Sequence, residues 1–168
     1  MILECLKAVL SSFGEVHTRT WGDVASVELW IAGRTAFSFQ IASRDARLEP
    51  PVRVAGMGGL HIDSFRDLVA AKMKALVERG APRDFRDIHA LCEAQKIDPR
   101  LCWDLWRRRQ QLARGDASSA RARLAVGTHL ARIETLRPLE VIADPAQQAQ
   151  AQSLRAWFRG EFLNALMD

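Results

Sequence analysis

The chain has 168 residues, 48% of them hydrophobic, and carries a formal net charge of +4, enough apolar material for one ordinary core and a balance that excludes a disordered, highly charged chain. The basic sequence pI of about 9.4 permits an anionic partner without requiring one. Cys5, Cys92 and Cys102 stand at wide spacings without a CxxC pair or a His pair, so neither a disulfide framework nor a zinc site is indicated and packed, reduced thiols of a cytoplasmic protein are expected. Glu4 and Lys7 interrupt the apolar residues of the first ten positions, and no apolar run reaches bilayer length, so neither export nor a membrane is expected.

In chain order, Ile2, Leu3, Leu6, Val9 and Leu10 return on one side of a helix that Gly14 ends. From Glu15 to Ser43 β-branched and aromatic residues predict three antiparallel strands, Val16 to Trp21, Val24 to Ile31 and Thr35 to Ile41, with turns at Trp21-Gly22-Asp23 and Ala32-Gly33-Arg34. The Pro- and Gly-rich stretch from Arg44 to Gly59 reads as a loop holding one short strand near Val52 to Val54. Beyond Ile62 only helices are expected: Asp63 to Arg79, Pro82 to Ala94, Pro99 to Ala113, about Ala117 to Leu136, and Pro145 to Met167. Asp63 is the expected cap of the first, Gly80 its stop, and Pro82, Asp98-Pro99 and Asp144-Pro145 are start signals. The expected fold is α+β: a short antiparallel or mixed sheet with an N-terminal helix (residues 1–59), then a bundle of about five helices (residues 60–168).

On the helix from Asp63, residues Phe65, Leu68, Val69, Met73 and Leu76 share one arc at 100° per residue; Lys72 falls within it and Arg79 projects in nearly the same direction. On the next helix Phe85, Ile88, Leu91 and Cys92 make the arc, with Asp84 inside it and Asp87 at its edge. Charges on apolar faces cost several kcal/mol unless they are paired or line a wet cleft. Two readings follow: a buried Lys72 to Asp84 ion pair bracing the helices, or an anion site in which Lys72 and Arg79 hold phosphate oxygens while Asp84 and Asp87 orient them or bind a metal.

The spacing of Lys72, Arg79 and the Arg83-Asp84-x-x-Asp87 group within Asp63 to Leu91 resembles the signature of the AbiEii/AbiGii nucleotidyltransferase toxins, of the polymerase-beta-like superfamily. That resemblance implies Lys72, Asp84 and Asp87 as catalytic residues and Lys72, Arg79 and Arg83 as nucleotide or phosphate contacts. It also implies Mg²⁺ and a nucleoside triphosphate as cofactors of an active member, with an RNA acceptor and an antitoxin as partners. The family's Gly-Ser or Gly-Gly turn and Asp-x-Asp strand, which holds the metals of in-line transfer, have no counterpart: no Asp-x-Asp occurs, and Gly58-Gly59 follows the expected sheet. A truncated or degenerate member is therefore expected, or one completed by another polypeptide, with the metal ligands absent from this sequence. The alternative is a non-catalytic interaction or antitoxin-like module in which the charges only brace.

Trp103-Asp-Leu-Trp106-Arg-Arg-Arg109 combines aromatics with basic residues as an RNA-binding face does, but two Trp three apart on a helix are expected in the core, with the arginines solvated. His17, His61, His89 and His129 lie at no ligand or triad spacing. Trp157, Phe158, Phe162, Leu163 and Leu166 form an apolar face that closes the core or meets a second copy, and an uncovered sheet edge is the other expected route to self-association.

Overall fold

The computed structural model describes residues 2–22, 24–42, 46–56 and 58–166, which fall into two compact units, 1–45 and 46–168. The segment 46–59, Pro- and Gly-rich, groups with the helices. Asp23 of the expected first turn and Met167 of the expected last helix lie outside the described residues.

In the first unit, α1 (Ile2–Leu10) precedes a sheet of order β1-β2-β3, with β1 (Glu15–Trp21), β2 (Val24–Ile31) and β3 (Arg34–Ala42) all antiparallel. A two-residue loop joins β2 to β3, with Ala32 at φ 50° and Gly33 at φ 73°. Both central residues at positive φ is the turn whose twist matches a tight hairpin. The register slips once between Leu29 and Trp30. α1 packs on β2 and β1, and a small core of Leu10, Val27 and Leu29 forms there with Leu3, Val16 and Ile41 against it. Phe39 and Phe37 pair across from Val27 and Leu29, hence on the same face. They nonetheless remain 38% and 50% exposed, in edge-to-face contact at 4.7 Å, because α1 lies over the other two strands.

The second unit begins with two short strands, β4 (Val52–Arg53) and β5 (His61–Ile62), paired antiparallel; the sequence reading found the first and missed the second, which is too short to show a period. Five helices follow: α2 (Phe65–Glu78), α3 (Pro82–Glu93), α4 (Pro99–Leu112), α5 (Ser119–Leu136) and α6 (Pro145–Trp157). Pro82, Pro99 and Pro145 occupy the first turns, and Asp98 and Asp144 cap as expected. The cap of α2 is Ser64 and not Asp63: its hydroxyl accepts from the Asp67 amide at 3.1 Å. α6 ends at Trp157 and passes into a π turn, Phe158–Phe162, and a 3-10 turn, Asn164–Leu166, in place of one continuous helix.

α2 packs against α3, α4 and α5, and its arc is buried from Val69 through Met73 to Leu76. Phe65 and Leu68, expected in that arc, are 46% and 49% exposed; the chain at Leu48 and Glu49 covers the Asp67 side of the first turn instead. Trp103 and Trp106 lie in the core with Phe85, Phe158 and Phe162, and the Trp103 indole donates to the Phe162 carbonyl at 3.0 Å. That bond satisfies a carbonyl in the irregular π segment. Arg109, expected in solvent, is buried (6% exposed), whereas Arg107 and Arg108 are exposed.

Asp67 ties the start of the unit together. Its buried carboxylate accepts from the Leu48 amide (2.9 Å), the Glu49 amide (3.0 Å) and the Ser64 hydroxyl (2.9 Å). Asp67→Ala strands these donors and should destabilise the chain by about 2–4 kcal/mol, read as a lower urea midpoint with an unchanged slope.

Candidate functional site

The α2–α3 hairpin is built by a stop and a start. Gly80 takes φ 52°, and a Cβ there would come within 2.3 Å of the His129 side chain of α5, so only glycine fits both the backbone and the close approach. α5 also satisfies the carbonyls that the end of α2 leaves open: Val77 lies 3.1 Å from the His129 Nε2, and the Arg132 guanidinium donates to the Arg79 carbonyl at 3.0 Å. α3 restarts at once with Ala81 as cap and Pro82 at its first position.

Two ion pairs cross this hairpin in reverse order, as antiparallel helices require. Lys72 Nζ lies 2.5 Å from Asp87 Oδ2, with both side chains nearly half exposed. Arg79 donates through Nε to Asp84 Oδ2 and through Nη2 to Asp84 Oδ1, both at 2.9 Å, a bidentate fork. The expected Lys72 to Asp84 pair therefore does not form. Asp84 has no solvent exposure, as its place in the apolar arc implied, and its Oδ2 also accepts from the Ala81 amide at 3.1 Å.

The Arg79 guanidinium holds the Asp84 carboxyl below the ordinary carboxylate range by hydrogen bonding; burial opposes this, and the charges of Arg79 and Arg83 together with the Ala81 amide add to it. Asp84 in return raises the affinity of Arg79 for its proton. Arg83 is exposed on the outer side of α3 and acts on Asp84 through its field alone. One hairpin thus brings together Lys72, Arg79, Arg83, Asp84 and Asp87. Two of the five guanidinium donors of Arg79 serve Asp84, while the side chain is 52% exposed. The arrangement offers an ammonium and a planar fork to an anion, with the countercharge of the fork buried behind it.

Residues 27–164 match the sequence model of the nucleotidyl transferase AbiEii toxin family, a type IV TA system. The chain belongs to the AbiEii family. No curated protein and no solved structure matches it. The AbiEii match spans both ion pairs and the whole helical unit as far as Asn164.

A magnesium ion, which nucleotidyl transfer in such a family implies, asks for free carboxylate oxygens. Both oxygens of Asp84 are taken by Arg79 and Ala81, and Asp87 is paired with Lys72. Among the described residues no group of three or more His, Cys, Asp or Glu gathers that can hold a metal. Paired in this way, Asp84 and Asp87 do not fit the metal.

The residues that sequence reasoning did not place are His129 and Arg132, which grip the end of α2 from 52 and 53 residues away in the chain; no spacing rule connects such positions, and Gly80 was read only as the stop of its helix.

Stability should separate the two pairs. Asp87→Ala removes an exposed pair and is expected to cost no more than about 1 kcal/mol. Asp84→Ala removes a buried partner and leaves the Ala81 amide unmet, at about 2–3 kcal/mol, with Arg79 free to rehydrate. Because the folded pKa of Asp84 is depressed, its contribution is fully present above the unfolded value of about 3.9 and is lost as pH falls through the folded value. Asp84→Asn should therefore flatten the decline of the urea midpoint below about pH 4 relative to the wild type.

Proposed function

We propose that this chain is a nucleotide-binding member of the AbiEii nucleotidyltransferase family, in which Lys72 and Arg79 contact the phosphates of a nucleoside triphosphate and Asp84 and Asp87 orient them. The observation that carries the reading is a half-exposed ammonium and a half-exposed guanidinium held at one hairpin by carboxylates, one of them fully buried. A buried carboxylate fixes the plane of the Arg79 fork and leaves its remaining donors for a planar or tetrahedral anion. Lys72 serves as a mobile point charge, able to exchange Asp87 for phosphate at small cost because that pair is solvated. Arg83 adds field and reach from the rim.

The metal-holding carboxylates of such a transferase are not among these residues, so this chain is assigned phosphate recognition and not metal binding. Transfer to an RNA acceptor then depends on ligands from outside this sequence, or the chain is a degenerate member kept for binding. Membership in a toxin–antitoxin family makes a cognate antitoxin the expected protein partner.

Thermal protection tests the site. A triphosphate at about 100 times its Kd adds about 2.7 kcal/mol to the folded state, a rise of several degrees in Tm for a chain of this size. Protection is expected for the wild type with millimolar ATP, CTP, GTP or UTP in the presence of Mg²⁺. It should be lost in Lys72→Ala and Arg79→Ala, the former with a nearly unchanged Tm without nucleotide. Absence of protection by all four would overturn the proposal.

The competing reading, a structural brace within an interaction module, draws on the same one-to-one matching of Lys72 with Asp87 and Arg79 with Asp84. It requires that replacing Lys72 and Asp87 together by Met and Leu lower stability by well over about 1 kcal/mol, which an exposed pair does not supply.

A further inference from the structure

Cys92, near the end of α3, and Cys102, in the first turns of α4, are both free thiols, and their sulfurs lie 4.0 Å apart across the short connection between the helices. Cys102 is fully buried, whereas Cys92 is partly exposed and lines a cleft of about 580 Å³ with His89, Lys96 and Trp157. One sulfur is open to small solutes and the second waits directly behind it. A disulfide bond is about 2.05 Å long, so the sulfurs need to close about 2 Å, a distance that side-chain rotation at a helix end can supply.

We propose that Cys92 and Cys102 are a reversible dithiol–disulfide couple, oxidised by hydroperoxides that enter through the cleft, which locks α3 to α4. The inference is independent of the nucleotide reading. In the first step the Cys92 thiolate attacks the peroxide: an S–O bond forms, the O–O bond breaks, and hydroxide leaves and is protonated to water. In the second, the Cys102 sulfur attacks Cys92: the S–S bond forms, the S–O bond breaks, and the departing hydroxide takes the Cys102 proton and leaves as water. The two thiols lose two protons and two electrons, and one hydrogen peroxide becomes two waters.

The order of events follows from the surroundings. The hydrogen bond between the sulfurs lowers the pKa of Cys92 and, with burial, raises that of Cys102, so the proton stays on Cys102 and the accessible sulfur is the one held toward thiolate. Burial, and after it the charges of Asp98 and Glu161, oppose this at Cys92 without reversing it. α3 also carries Asp84 and Asp87, so the lock would act on the helix that presents the ion-paired hairpin.

The test is peptide mapping of the wild-type protein after a small excess of hydrogen peroxide and an N-ethylmaleimide quench. Trypsin cuts between the two cysteines, after Lys96 and Arg100. The expected product is residues 87–96 joined to residues 101–107, two hydrogens lighter than the separate thiol peptides, with the thiol titre falling from three to one per chain and recovering in dithiothreitol. Cys102→Ala should leave Cys92 halted as a sulfenic acid that dimedone traps; if that variant does not fold, the wild-type map alone decides. Failure of either thiol to oxidise, over-oxidation of Cys92 beside an alkylated Cys102, or a link only through Cys5 or between two copies would each overturn the couple.

Discussion

The Asp84 carboxylate has no contact with water, and the hairpin of α2 and α3 is arranged around keeping it ionised. A lone buried carboxylate is so unfavourable that it takes a proton or drags its helix open. Here three donors, the Nε and Nη2 of Arg79 and the amide of Ala81, meet both of its oxygens. Each donor imposes a condition on the chain. Arg79 has to sit at the C-terminal cap of α2, Ala81 has to stand as the cap of α3, and the turn between them has to be tight enough for one carboxylate to reach both. Gly80 supplies that tightness through a left-handed backbone and the absence of a Cβ.

That constraint passes outward into the packing. Because Gly80 has no side chain, α5 can bring His129 against the turn and use His129 and Arg132 to cover the carbonyls of Val77 and Arg79. The backbone of Arg79 is thereby fixed from one side while its guanidinium is fixed from the other by Asp84. What remains free is the outer edge of the fork and, two turns back on α2, the ammonium of Lys72 in a solvated pair with Asp87. A fixed cation beside an exchangeable one is a sensible way to receive an anion: the first contributes geometry, and the second contributes charge with little desolvation to repay. The same physics makes the hairpin a competent brace, which is why binding rather than structure distinguishes the two uses.

The two units of the chain differ in how much they bury. The helical unit has a continuous core in which Trp103, Trp106, Phe85, Phe158 and Phe162 interlock. The sheet unit closes over three buried apolar side chains and leaves Phe37 and Phe39 in the open on the core-facing side. An exposed apolar pair on an edge strand is a liability for aggregation and equally a place for a partner strand.

The sequence by itself determined the α+β order, the three helix starts at Pro82, Pro99 and Pro145, the burial of Asp84 and the family, because these rest on local signals: proline at first turns, Asp and Gly at caps, periodic apolar residues, and charges at fixed helical intervals. It misjudged pairing. Lys72 and Asp84 share apolar arcs, yet a periodicity argument gives only the direction of a side chain and not its height along a neighbouring helix. The reversed register of the hairpin set Asp84 opposite Arg79 and Asp87 opposite Lys72. Likewise no local rule could anticipate that Ser64, with Asp67 behind it, would displace Asp63 as the cap, that Arg109 would turn inward, or that His129 would close on Gly80. These depend on which element lies across from which, and contact across helices is settled by packing of the whole unit, where the desolvation of each charge is weighed against the partners that the fold brings within reach.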